Sequence, residues 1–443
     1  MKSQRAFMVC GLGASGLAAA RLLRSENQPV VAVDERDTPT LRAAAVGLTR
    51  LGCEVFLGCA SPPAERMVGA IVSPGLDING PLLTLLRKKG VPLLSEVELG
   101  WSRFQGRSIA VTGSNGKSSV VKALAEAFQA AGHKAVACGN YGLPVCDAVL
   151  ETPDAEWLVI EVSSFQAETL VEFRPDIGVL LNRLPNHLDR HGSMEAYTRL
   201  KARLFARQGM KDVAVVPSEW LDLFMEESGG RGSWKTTGSG ALSHADYIYL
   251  PSRVNGPDRR SLSIEGSYFD NAVLGPNAAA VLAATDLAGL SPRQVARVLQ
   301  AFQPLPHRTQ RIAVQGGVVF VDDSKATNLA SLTASIRMQN GPVHLIAGGR
   351  SKEVDFSVAL PVLQENVRAV YLIGEAAADM GIAWGASVPC RICGTLERAV
   401  AKARRVAEAG EVVLLAPGGT SYDQFGSYAE RGEAFQKLVL NKD

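Results

Sequence analysis

The residues best suited to chemistry lie at 111–119, Val111-Thr-Gly-Ser-Asn-Gly-Lys-Ser-Ser119, between an apolar run at 109–112 and an Ala-rich segment. Small residues at a strand-to-helix turn let backbone N–H groups close around phosphate, so Gly113, Ser114, Asn115, Gly116 and Ser119 are candidate phosphate contacts. Lys117 can reach the β/γ oxygens and the Ser118 hydroxyl can ligate Mg²⁺. The loop is two residues shorter than the usual Gly-x-x-x-x-Gly-Lys-Ser/Thr, but its chemistry is unchanged, and it points to ATP. A second glycine loop, Gly11-Leu-Gly-Ala-Ser-Gly16, follows a strand-like segment, and Asp34 ends the next one. Such a loop brings backbone and a helix N-terminus to a diphosphate, while the acid can take a sugar hydroxyl. Read alone it fits NAD or FAD, another diphosphate ligand, or a structural turn.

Glu161, in Glu161-Val-Ser-Ser-Phe-Gln166, ends an apolar strand. A carboxylate there suits Mg²⁺, which favours a few carboxylates with phosphate oxygens and water; a solvated strand-end acid is the plain alternative. His187, in a loop, and Lys201, in a helical segment, are unremarkable by spacing alone. Later come Pro306-His-Arg308, Asp322-Asp-Ser-Lys-Ala-Thr-Asn328, Gly348-Gly-Arg-Ser-Lys352 and Pro417-Gly-Gly-Thr-Ser-Tyr-Asp-Gln-Phe425. The last three follow apolar strands and belong at the carboxyl edge of one parallel sheet, where α/β folds bind ligands. Arg308, Lys325 and Lys352 add positive charge suited to an acidic substrate and a phosphate.

The elements that must position these residues alternate almost from end to end. Short apolar strands such as Phe7–Cys10, Ile109–Thr112, Leu158–Val162, Val318–Val321 and Val412–Leu415 are separated by Ala/Leu-rich helical stretches, the pattern of parallel sheets covered on both faces. Turn-rich junctions at 104–107 and 303–308 mark boundaries, and residues 228–270 read as short antiparallel strands and loops. At roughly 100–200 residues per domain, 443 residues allow two to four domains. With 46 Lys+Arg against 44 Asp+Glu, the formal charge of +2 excludes nucleic-acid binding by bulk electrostatics. No apolar run is long enough to span a membrane, and no signal peptide opens the chain; a cytoplasmic location is expected. The odd count of 7 scattered cysteines fits reduced thiols. The pair Cys390-Arg-Ile-Cys393 lacks a second pair or His partners for a zinc site and reads as ordinary thiols.

Together these pieces resemble the Mur ligases of bacterial peptidoglycan synthesis, and within them the D-glutamate-adding branch. The resemblance covers essentially the whole chain. It rests on Thr112-Gly-Ser-Asn-Gly-Lys-Ser, Glu161-Val-Ser-Ser-Phe-Gln, His-Leu-Asp-Arg at 187–190, Leu-Pro-His-Arg at 305–308 and Asp-Ser-Lys-Ala-Thr-Asn at 323–328. The Phe165-Gln166 pair and the amino-terminal glycine loop favour that branch. Sister ligases adding the third residue or the dipeptide have a different first domain, and folylpolyglutamate synthetases lack this one.

The resemblance implies three α/β domains: a Rossmann-like UDP-substrate domain at 1–97, a central P-loop ATPase domain at 98–304 with a mainly parallel sheet and a small antiparallel part, and a Rossmann-like glutamate domain at 305–443. It implies that Gly13, Ala14, Ser15, Asp34, Glu35, Arg36, Ser73, Gly75, Asn140, Ser163 and His187 line the UDP-substrate. Asn277, Arg308, Asp323 and Lys325 would join the phosphate loop in holding ATP, while Thr327, Lys352, Ser421, Tyr422 and Tyr428 would hold glutamate. Two Mg²⁺ ions are implied, ligated by Ser118, Glu161, His187 and Lys201, the last as a carbamate. Lys117, Glu161, His187, Lys201, Lys325 and Lys352 form the implied catalytic set of a monomer whose partners are UDP-N-acetylmuramoyl-L-alanine, glutamate and ATP. Closure of the third domain onto the second is expected as a gating step.

Some positions depart from the family pattern. The stretch Val273-Leu-Gly-Pro-Asn-Ala-Ala-Ala280 lacks a usual histidine and leaves Asn277 as the only adenine-side candidate; Asn186 stands where an acid is common; Tyr422 and Tyr428 replace a leucine and a phenylalanine. Three readings compete with D-glutamate ligation. They are a ligase adding L-glutamate or another acidic amino acid, a nicotinamide-dependent oxidoreductase supported only by the first glycine loop and Asp34, and a silent nucleotide-binding relative.

Overall fold

Alternating apolar and helical stretches fold into three sheets because the central strands, buried on both faces, need helices above and below them. A computed structural model describes residues 5–62, 67–258, 260–351, 353 and 355–441. Lys352 therefore lies outside the described residues. These divide into two compact units, 1–265 with 276–300, and 266–275 with 301–443.

The first unit holds two sheets. One has the order β3-β2-β1-β4-β5, all parallel, from β1 (Ala6–Cys10), β2 (Val30–Asp34), β3 (Glu54–Leu57), β4 (Met67–Val72) and β5 (Leu93–Ser95). The helix Ala14–Ser25 starts directly after the first glycine loop. A Cβ on Gly16 would stand 1.9 Å from the Gly11 carbonyl oxygen, so only glycine lets this helix lie so close to the strand.

The second sheet has the order β14-β13-β12-β11-β10-β9-β6-β8-β7. Its strands are β6 (Arg107–Thr112), β7 (Ala135–Gly139), β8 (Trp157–Glu161), β9 (Ile177–Leu180), β10 (Val213–Pro217), β11 (Ser233–Ser239), β12 (Tyr247–Leu250), β13 (Arg253–Asn255) and β14 (Ser261–Ser263). Chain order reverses at β6, which places the phosphate loop at a switch point. The polar segment Ser233–Ser239 differs from its sequence reading. It is a parallel strand between β10 and β12, and only β12, β13 and β14 pair antiparallel. The two sheets share one unit because the helices Ala14–Ser25, Glu96–Trp101 and Val145–Glu151 pack together, with Leu99 and Cys146 completing the core under the first sheet. Arg21 clamps Asp147 across this joint with bonds of 3.0 and 2.6 Å.

The second unit carries a sheet of order β15-β16-β20-β17-β18-β19, from β15 (Gln310–Gln315), β16 (Val318–Asp322), β17 (Val343–Gly348), β18 (Val367–Ile373), β19 (Cys390–Gly394) and β20 (Val412–Gly418), parallel apart from β15. Cys390 packs into the core on one face and Cys393 into that on the other, so this pair cannot share a metal or a disulfide. All seven thiols are free. Among the described residues no helix is long and apolar enough to cross a membrane.

Candidate active site

The phosphate loop leaves β6 at Thr112 and enters the helix Lys117–Ala130 through Gly116, which is left-handed at φ +83°. A Cβ there would come within 2.3 Å of the Asn277 amide nitrogen, so the position demands glycine on conformational and steric grounds. Asn277, ambiguous in register from sequence, is thereby placed against the phosphate loop, and it is buried. The Lys117 ammonium donates to the carbonyls of Gly113 at 2.9 Å and Ser114 at 3.0 Å. Ser114, Ser118 and Ser119 are buried.

Strand register brings Glu161 beside this loop, since Glu161 is the partner of Val111 on β6. Glu161 is 1 % exposed. Its Oε1 accepts from Asn140 Nδ2 at 2.7 Å, while its buried Oε2 has no hydrogen-bond partner. A lone buried carboxylate oxygen next to a phosphate loop fits a cation ligand. Lys201, on the helix Met194–Ala202, is likewise fully buried, with its ammonium 4.4 Å from the centre of the Tyr197 ring. Burial, reinforced by the charge of Lys117 and opposed by Glu161, holds its amine well below the usual ammonium range. Among the described residues no group of three or more His, Cys, Asp and Glu could hold a metal alone. A metal here would depend on Ser118, Glu161, His187, a modified Lys201 and the substrates' own oxygens.

His187 is exposed, caps the helix Leu188–His191 and sits at φ +55°, an uncommon conformation for a residue with a side chain. Its ring lies 4.7 Å from that of Phe165. The motif around Phe165 is locally determined. Ser163 caps the helix Ser164–Ala167, and Gln166 reaches back to the Ser163 N–H at 2.9 Å, a reciprocal capping box. Arg190 stacks on Phe165, clamps Glu168 with bonds of 2.9 and 2.5 Å, and donates to the Leu76 carbonyl at 2.8 Å. It thus ties the His187 loop to the loop carrying Ser73 and Gly75.

In the first sheet, Asp34 is buried and its oxygens already serve the protein. Oδ2 accepts from the Leu12 N–H at 2.9 Å and Oδ1 from the Arg36 N–H at 3.0 Å. Its evident structural task is to hold the glycine loop. Glu35 presents a buried Oε1 without a partner. Ser73 donates to the Gly11 carbonyl at 3.1 Å, while Gly13 and Gly75 have open space where a side chain would stand. Ala14 and Ser15 open the helix above this space.

In the second unit, the loops after β16, β17 and β20 are joined at their carboxyl ends: the Gly418 N–H donates to Ala326, and Arg350 and Thr420 exchange backbone bonds. His307 at φ +60° and Thr309 at φ +46° flank Arg308, a locally strained presentation. The His307 ring meets Asp322 at 2.7 Å. The carboxyl of Asp323 is pushed up to about 6 by burial, which outweighs the Thr309 backbone bond and the charge of Arg308. Lys325 sits 4.1 Å from the centre of the Tyr428 ring. Ser421 is buried, Thr327 half-buried and Tyr422 exposed. Sequence reasoning missed Arg431, which is fully buried. It donates to Ser324 Oγ at 3.0 Å and to the carbonyls of Ser324 and Gly419 at 2.9 and 3.1 Å, joining two of the loops. It also missed Asn182 and Tyr197, whose contacts with the phosphate loop carried no motif signal.

Residues 111–264 match the Mur ligase middle domain and residues 307–419 the Mur ligase glutamate ligase domain. The UDP-N-acetylmuramoylalanine–D-glutamate ligase of Acidobacterium capsulatum is 36% identical over 98% of this chain and 95% of its own length. That of Geobacillus kaustophilus is 36% identical over 98% and 97%. Among solved structures, the MurF ligase of Thermotoga maritima in complex with ADP superposes with a TM-score of 0.62 at 17% identity, covering 99% of both chains. FolC of E. coli, in complex with DHPP and ADP, gives 0.57 at 18% identity over 77% of this chain and 92% of its own. At such identities these two attest the fold alone. Near-complete alignment with close relatives, and both matched domains, mean that the chain belongs to the Mur ligase family, among its UDP-N-acetylmuramoylalanine–D-glutamate ligases.

Proposed function

We propose that this chain joins D-glutamate to UDP-N-acetylmuramoyl-L-alanine at the expense of ATP, a step of peptidoglycan precursor synthesis. The observation that carries the reading is the buried pair Glu161 and Lys201 beside the phosphate loop, one with an unpartnered oxygen and the other with a depressed amine. A carboxylate is a poor acyl donor. The alanyl carboxylate oxygen therefore attacks the γ-phosphorus, an O–P bond forms, and the bond to the β-phosphate oxygen breaks to release ADP. The glutamate amine, as free base, then attacks the acyl carbon. The C–N bond forms, the amine loses a proton, and collapse of the tetrahedral intermediate expels phosphate.

Catalysis of this kind is mostly positioning and charge neutralisation. Lys117 moves from the loop carbonyls to the β/γ oxygens. In the reading we favour, Gly13, Ala14, Ser15, Asp34, Glu35, Arg36, Ser73, Gly75, Asn140 and Ser163 orient the UDP-substrate, while Asn277, Arg308 and Asp323 seat the nucleoside of ATP. Lys325 also holds ATP, while Thr327, Lys352, Ser421, Tyr422 and Tyr428 seat glutamate. Ser118, Glu161, His187 and Lys201, the last as a carbamate, would hold Mg²⁺, which would supply charge neutralisation at the phosphates. A neutral buried amine is the form that adds CO₂, and the product replaces a repelling ammonium with anionic oxygens. We read the protein as a monomer located in the cytoplasm, and its free thiols support that location.

Phosphate release from ATP with UDP-N-acetylmuramoyl-L-alanine tests the proposal. Release is expected with D-glutamate and not with L-glutamate. Release with neither overturns the assignment, and preference for the L-isomer selects an L-glutamate ligase instead.

A further inference from the structure

A phosphate loop of ordinary length directs most of its amides at the nucleotide. In this chain the loop is short, and two of its amides point elsewhere. β9 neighbours β6, with Thr112 opposite Leu180, and the pairing runs on through a bond of 3.0 Å from the Leu181 N–H to the Thr112 carbonyl. The next residue, Asn182, therefore arrives beside the loop. Gly113 permits the approach, since a Cβ there would stand 3.0 Å from Leu181 Cβ. Asn182 Oδ1 accepts from the Ser114 and Asn115 N–H groups, both at 2.9 Å, and its Nδ2 donates to the Asn115 carbonyl at 3.0 Å. The Ser114 hydroxyl donates to the Leu184 carbonyl at 2.7 Å, accepts from the Leu184 N–H at 2.9 Å and meets the Tyr197 hydroxyl at 3.1 Å.

We propose that Asn182 is a positioning residue that completes the shortened phosphate loop from outside it. Its carboxamide withdraws the Ser114 and Asn115 amides from the phosphate-binding set, so the phosphates rest on the loop end and first turn of the helix Lys117–Ala130. The first bond within that helix runs from the Val120 N–H to the Gly116 carbonyl, leaving the turn before it, with its positive dipole end, as the anion seat. The same brace sets the Gly113 and Ser114 carbonyls on which the Lys117 ammonium rests. It also ties the loop to segment 182–187, so the positions of Lys117 and His187 are set together. Asn182 acts through the loop and touches no reacting atom. The inference rests on the reading of this loop as the ATP site.

Steady-state kinetics and calorimetric nucleotide binding of the full-length protein test the inference through Asn182→Ala, Asn182→Asp and Lys117→Ala. Asn182→Ala is expected to raise KM for ATP about tenfold and lower kcat at least about tenfold, with KM for the UDP-substrate within about twofold. Asn182→Asp still accepts from both amides but loses the bond to the Asn115 carbonyl and sets a negative charge behind the loop. Its loss of affinity is expected to grow from AMP to ADP to ATP, which general loosening of the fold would not produce. Binding and turnover within about twofold of wild type in Asn182→Ala overturn the proposal, as does equal loss for AMP and ATP in Asn182→Asp. If Asn182→Ala does not fold, the graded response of Asn182→Asp decides alone. If Lys117→Ala also leaves ATP binding unchanged, the ATP reading of the loop falls; if it alone weakens ATP, only the role of Asn182 falls.

Discussion

Lys201 and Asp323 are ordinary residue types given unusual properties by burial. Burial, reinforced by the charge of Lys117, holds the Lys201 amine well below the usual ammonium range, which favours addition of CO₂, so removal of dissolved CO₂ should lower activity and bicarbonate should restore it. Lys201→Ala should lose activity and partly recover with added short carboxylates; unchanged turnover would refute the carbamate role. Asp323 makes a pH prediction. Its carboxyl rises from 3.8 to about 6, so the folded chain holds that proton more tightly than the unfolded chain. Its contribution to stability is therefore full below about 3.8 and lost as pH rises through about 6. If the carboxylate accepts from the nucleoside, KM for ATP should rise as pH falls below about 6, and Asp323→Asn should flatten that limb. A profile identical in wild type and variant would remove Asp323 from the ATP site.

At the scale of elements, the joint of helices Ala14–Ser25, Glu96–Trp101 and Val145–Glu151 contains a second displaced carboxyl. Glu96 accepts from the Cys146 N–H at 2.6 Å through one oxygen, and its other oxygen is buried without a partner. Burial is the main cause raising it from 4.5 to about 7, opposed by bonds from Cys146 and Val145 and reinforced by Asp147. Stability from this group is full below about 4.5 and lost by about 7, so Glu96→Gln should raise Tm at pH 8 and leave it unchanged near pH 4. The gain should be on the order of 2–3 kcal/mol. Gly16→Ala forces a Cβ against the Gly11 carbonyl and should cost about 3 kcal/mol or more, read by denaturant unfolding. Most strands were legible because fully buried parallel strands are continuous apolar runs. Ser233–Ser239 was not, because its parallel pairing comes from β10 and β12 rather than from any pattern of its own.

For the whole molecule, the residues proposed for UDP-substrate and phosphates lie in one compact unit, and those proposed for glutamate lie in the other. Turnover requires the reactants to meet. Small-angle scattering should therefore show a smaller radius of gyration when an ATP analogue and the UDP-substrate are both present, and no change would count against closure. A formal charge of +2 gives no general attraction for three anionic reactants. That attraction must be local, in helix-start amides, in placed Lys and Arg side chains and in bound cations.

The sequence by itself determined the reaction class and the family. Phosphate loops, capping boxes and glycine turns are local constructions whose residue types follow from backbone geometry over a few positions. Tertiary structure alone decided which of those residues have spare capacity. Asp34 is committed to the Leu12 N–H, and Asn182 to amides 68 and 67 positions away. Glu161 keeps one buried oxygen unpartnered, and the Lys201 amine is held well below the usual ammonium range. Such properties depend on burial and on partners brought in from distant strands, which spacing along a single chain does not encode.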